Sequence, residues 1–93
     1  MKITIKGKEV ELKYSLRALM MYENIENKTF QPTSLQNIMT FFYVIVVASS
    51  KDYSLTFDEF LDFVDEDQNN NLLKEFAGWL NDIIENQNKL KKE

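Results

Sequence analysis

Apolar and polar residues alternate over residues 2–13, KITIKGKEVELK, with Ile3, Ile5, Val10 and Leu12 as the apolar positions. Strict alternation reads as paired strands. Gly7-Lys8 at the centre suits a two-residue type II′ turn, which wants glycine first. That register sets Ile5 opposite Val10 and Ile3 opposite Leu12 on one face, with Lys6 facing Glu9 on the other. A lone hairpin is marginal in water, so this apolar face needs a cover. The rest of the chain, residues 15–90, has helical periodicity.

The first helix is expected to start at Ser15, a good N-cap. Leu16, Leu19 and Met20 form one stripe, and Ala18, Met21, Tyr22 and Ile25 an adjoining one. The pattern fades over 24–28, and Phe30 and Pro32 mark a loop. The second helix is expected from Thr33 or Ser34, with Thr33 and Gln36 spaced as a capping box. Leu35, Ile38, Met39, Phe42, Ile45 and Val46 follow helical spacing, and the opposite face is apolar too: Phe41, Tyr43, Val44, Val47 and Ala48. Residues 38–48 span about 16 Å as a helix, well short of a hydrocarbon core of about 30 Å, so no membrane span is expected. The β-branched and aromatic content also permits a buried strand; the preceding cap and the length favour helix.

Residues 50–55 read as a polar connector. Thr56 and Glu59 form a second capping box. It opens a helix with Phe57, Phe60, Leu61 and Val64 inside and Asp58, Glu59, Asp62 and Asp65 outside. DEDQNNN (65–71) is a polar break. A fourth helix is expected over about 72–90, its stripe made by Leu72, Leu73, Phe76, Ala77, Leu80, Ile83 and Ile84, with Trp79 flanking. Gly78 inside it costs about 1 kcal/mol relative to alanine, and a close helix crossing is the expected reason. The fold class is therefore mainly α with a small N-terminal β-hairpin (α+β): a hairpin and about four helices in a small bundle, one domain over 1–93.

Composition then removes chemistry. The chain has no His and no Cys, which excludes disulfides, thiolate nucleophiles and the commonest general base and transition-metal ligand. Its two glycines are far apart, so no glycine-rich phosphate loop is expected. Asp65, Asp67 and Asn69 resemble the start of a calcium loop, but Asn70 stands where the turn wants glycine and Phe76 where a bidentate glutamate is required. No metal site, cofactor or enzymatic activity is expected. Absence of cysteine, and a charged stretch after Met1 in place of an apolar leader, favour a cytoplasmic setting.

The net charge of −4 is unevenly spread. Residues 1–20 carry five basic and two acidic groups, and residues 51–85 two basic and ten acidic. An acidic second half repels phosphate, so no nucleic-acid partner is expected. The all-round apolar second helix has two readings: burial on every side, or a second face that meets another chain. The second reading names Phe41, Tyr43, Val44 and Val47 as the partner-binding face.

Residues 14–30, YSLRALMMYENIENKTF, carry Tyr14, Ser15, Arg17, Ala18, Tyr22 and Glu23, then Asn27, Lys28, Thr29 and Phe30. This string resembles the opening helix and following turn of the tail assembly chaperones of long-tailed bacteriophages and prophages. The segment TFDEFLDFVDED (56–67) is similar to a second motif of that family, and an apolar helix lies between. Asn27 departs from the glycine common in the family's turn, though asparagine tolerates the left-handed conformation there. The resemblance implies a small, mostly helical, non-catalytic protein of the bacterial host's cytoplasm. It implies a partner too, the long hydrophobic tape measure protein, bound before the tail tube assembles. Self-association, or pairing with a longer frameshifted form of the chain, is compatible with it. Rival expectations are a structural or tail-completion protein forming a ring, and a small acidic adaptor or inhibitor of a host protein.

Overall fold

A computed structural model describes residues 1–28, 31, 34–66 and 71–91, the last five of these by backbone alone. The expected capping residue Thr33, the turn residues Thr29, Phe30 and Pro32, the calcium-loop-like Asp67, Asn69 and Asn70, and the side chains of the lysine-rich end lie outside the described residues. The elements run β1 (Lys2–Ile5), β2 (Lys8–Glu11), α1 (Leu16–Glu26), α2 (Leu35–Ser50), α3 (Phe57–Asp65) and α4 (Asn71–Lys91). The mainly helical α+β class is as expected.

The hairpin forms with a different register. Its turn is Lys6-Gly7, both with positive φ (52° and 77°), and Ile3 pairs with Val10 and Ile5 with Lys8. Positive φ at both central residues is the type I′ pattern, with glycine second. The expected register would have set Lys2 opposite Lys13; the observed one sets Lys2 opposite Glu11 and Thr4 opposite Glu9. Opposed like charges are unfavourable, so the observed register removes one repulsion, and it gives up the Lys6–Glu9 opposition for Lys2–Glu11. Each residue's partner moves by two places, so the faces do not change. Ile3, Ile5, Val10 and Leu12 all remain buried.

The helix starts follow local chemistry. Ser15 caps α1 by accepting the Ala18 N–H, and Ser34 caps α2 by accepting that of Asn37. Thr56 and Glu59 make the reciprocal box at α3. Both α1 and α2 end on a left-handed residue, Asn27 (φ 59°) and Lys51 (φ 57°), whose N–H bonds back into the last turn.

α2 is the centre of the fold. Its residues Phe41, Phe42, Val44, Ile45 and Val46 are completely buried. On one side Tyr22 and Tyr14 meet Phe41 edge-on, at 5.8 and 5.7 Å between ring centres. On the other, Phe42 stacks on Phe76 of α4 at 4.1 Å and meets Phe60 of α3 edge-on at 5.0 Å. Such aromatic pairs add about 0.5–1.5 kcal/mol each beyond simple burial. The connector between α2 and α3 is not wholly polar. Leu55 is buried, and its carbonyl accepts the Tyr43 hydroxyl at 2.6 Å.

Gly78 does not mark a helix crossing. It is exposed, and an added Cβ would meet nothing within 4 Å. Gly78→Ala is therefore expected to stabilise the protein by about 0.5–1 kcal/mol, seen as a higher urea midpoint with unchanged slope.

One ion pair ties the hairpin turn to α3. The Lys6 ammonium lies 2.9 Å from Glu59 Oε2, while Glu59 Oε1 accepts the Thr56 N–H. The lysine contact and then the threonine bonds hold the Glu59 carboxyl down at about 2, against an ordinary 4.5. A depressed acid contributes stability that is complete well above its unfolded value and lost as pH falls through its folded one. The gap in Tm between wild type and Glu59→Gln is therefore expected to be constant at neutral pH and to close between pH 4.5 and about 2. A gap independent of pH would contradict this assignment.

Candidate partner-binding surface

The structure places most of the expected partner face inside the chain. Phe41, Val44 and Val47 are buried within the chain's own core, at 0%, 0% and 2% exposure. Tyr43 is half-buried, its ring edge-on to Phe57 at 5.3 Å. These four side chains make no exposed face. The physical reason is that the hairpin, α1, α3 and α4 together surround α2, because each brings at least one large apolar side chain to it. Burial pushes the phenols of Tyr14, Tyr22 and Tyr43 upward, the Glu59 charge adding to the effect at Tyr43. Glu26 does the same at Tyr22, where the hydrogen bond from Asn37 works the other way.

The exposed large apolar side chains include Leu35 at the start of α2, Tyr53 and Phe57, and three on α1: Leu16, Met20 and Ile25. Leu16 is 73% and Met20 59% exposed, one helical turn apart. Ala18 and Tyr22 occupy the opposite side of α1 and are completely buried against α2. The Tyr22 hydroxyl accepts a hydrogen bond from Asn37 Nδ2 at 3.0 Å, so this seam has both packing and a polar fix. Ala18 and Tyr22 thus hold α1 to α2, leaving Leu16 and Met20 outward. The periodicity of α1 gave a wide apolar stripe with no indication of which edge would face solvent.

A shallow open depression of about 620 Å³ runs along this face, lined by Leu16, Arg17, Met20, Met21, Glu23 and Asn24. A second, of about 200 Å³, is lined by Lys13, Ser15, Arg17, Ala48, Ser49 and Lys51. Arg17 belongs to both and joins them into one surface. Its guanidinium donates to the Tyr53 hydroxyl at 2.8 Å, a neutral partner. The Lys13 N–H donates to Ser49 Oγ at 3.0 Å, which fixes the end of the hairpin against the last turn of α2. Residues 13, 17 and 51 are brought together only by the fold.

Among the described residues, no group of three or more His, Cys, Asp or Glu side chains is placed to hold a metal ion. No described helix is long and apolar enough to cross a membrane. What the fold and the surface define is a small helical α+β domain with an apolar strip on its first helix and cations at the strip's start. No family model, curated protein or solved structure matches the chain.

Proposed function

We propose that the chain is a phage or prophage tail assembly chaperone, which covers apolar helical segments of the tape measure protein during tail assembly. The observation that carries the proposal is the outward Leu16–Met20 strip on α1, the helix in which the resemblance to that family is concentrated. Two flexible apolar side chains one turn apart match the spacing at which a partner helix sets its own residues. Methionine at such a face adapts to varied partners. The outer face of α3, with Asp58, Asp62, Asp65 and Glu66 exposed, supplies like charge that keeps loaded complexes apart.

Co-expression tests the proposal. With the wild-type chain, the tape measure protein is expected in the soluble fraction; with Leu16→Ser/Met20→Ser it is expected to move to the pellet, while circular dichroism of the variant is unchanged. A client equally insoluble with and without the wild-type chain would reject the chaperone reading. Full protection by the folded double variant would reject α1 as the contact.

A further inference from the structure

Among the described residues, the cations at the start of the α1 strip form no ion pair with a carboxylate. Lys13, Arg17 and Lys51 line one depression, and among the described residues none of them pairs with a carboxylate; the ion pairs present are Met1–Glu11, Lys2–Glu9 and Lys6–Glu59. Glu23 lines the far part of the apolar depression, and Asp52 follows Lys51 but is engaged by Ser54 at 2.6 Å. The first turn of α1 holds Arg17 and no acid, whereas α3 places Asp58 and Glu59 at its start. A helix N-terminus favours anions, so cations gathered there leave an uncompensated positive spot. Lys51 is better placed, just past the carbonyl end of α2. A chain that is acidic overall therefore assembles a basic shelf, directly continuous with its exposed apolar strip through Arg17.

We infer that this composite surface takes an acid-edged amphipathic helix of a partner protein. The helix lays apolar residues on Leu16 and Met20 and sets carboxylates over Arg17, Lys13 and Lys51. The inference rests on the chaperone reading and narrows it, because it selects among apolar helices those with acidic residues at one end of the apolar face. Charge complementarity decides the occupant: the shelf is positive, and Arg17 offers a planar fork that matches a carboxylate in two-pronged geometry. Charged rims act mostly on partner choice and encounter rate, and the apolar strip on residence.

The test uses two labelled peptides and fluorescence anisotropy. One carries leucines at i, i+3, i+4 and i+7 with glutamates flanking one end; its twin has lysines in their place. The glutamate peptide is expected to bind at least tenfold more tightly than the twin, with the preference shrinking as salt is raised. Arg17→Glu/Lys51→Glu is expected to reverse the preference, and Leu16→Ser/Met20→Ser to weaken both peptides. All four positions are exposed, and unchanged circular dichroism confirms that the variants fold. Equal binding of the two peptides, a preference for the lysine twin, no binding of either, or indifference to the charge reversal would each overturn the inference. So would a concentration-dependent dimer in sedimentation that the charge reversal abolishes, since the surface would then belong to a second copy. The co-expression experiment separates the two claims. A tape measure protein kept soluble equally by wild type and the charge-reversed variant leaves the chaperone reading standing without this specificity. A client insoluble beside the wild type removes that reading, whatever the peptides do.

Discussion

Val44→Asp is expected to remove much or all of the chain's stability at neutral pH, while Leu16→Asp leaves it nearly unchanged. Both replace an aliphatic residue of an apolar helical stripe by a carboxylate. Val44 is completely buried at the centre of α2, and Leu16 is 73% exposed on α1. An unpaired charge in a packed interior costs roughly 4–5 kcal/mol or more. A domain of this length has a total stability of about 5–14 kcal/mol, so that cost removes much or all of it. Leu16→Asp is expected to change stability by less than about 0.5 kcal/mol. Far-UV circular dichroism with urea melts decides the matter. An unchanged urea midpoint for Val44→Asp would mean that this face of α2 is open to water.

Phe42→Ala is expected to destabilise the protein by about 3–5 kcal/mol, the range for deleting a buried aromatic ring. Phe42 has no exposure, and its ring is the contact shared by α3 and α4, edge-on to Phe60 and stacked within 5° of parallel on Phe76. Its loss takes both contacts together. The effect is expected to fall hardest on α4, where, among the described side chains, Phe76 and Leu80 are in the buried core and Leu72, Leu73, Trp79 and Ile84 are partly covered. The single tryptophan, Trp79, lies on α4 beside Phe76 at 5.8 Å between ring centres. Its fluorescence therefore reports the docking of α4, while circular dichroism reports the whole fold. In the variant the fluorescence transition is expected at lower urea than the dichroism transition. Coincident transitions would show that α4 leaves only with global unfolding.

Much of the architecture was legible because local chemistry set it. The Ser15 cap and the Thr56–Glu59 box depend on residues three positions apart, and the acidic outer face of α3 on a single short segment, and they stand as expected. The hairpin's faces were legible and its register was not. Alternation determines which residues share a side, but the observed pairing removes the Lys2–Lys13 opposition, a contact between the two ends of the segment. Leu55 was hidden in a polar stretch because one buried leucine creates no periodicity. Gly78 looked like a crossing point, yet open space surrounds it. The surface was the least legible part. An apolar stripe does not say which edge the neighbouring elements will cover: past Leu35, α2 proved largely covered, while α1 kept an open side. Lys13, Arg17 and Lys51 are separated by up to 38 residues in the sequence, and no charge count along the chain gathers them.

The central place of α2 has a consequence during synthesis. The ribosome completes α2 at Ser50, but Phe76, the ring that closes over Phe42, follows about 25 residues later, which at roughly 5–20 residues per second is a delay of about 1–5 s. For those seconds the most apolar helix of the nascent protein stands partly uncovered beside the hairpin and α1. A protein proposed to shield another chain's apolar helices thus begins life with one of its own to shield, and α4, which emerges after it, is what closes it.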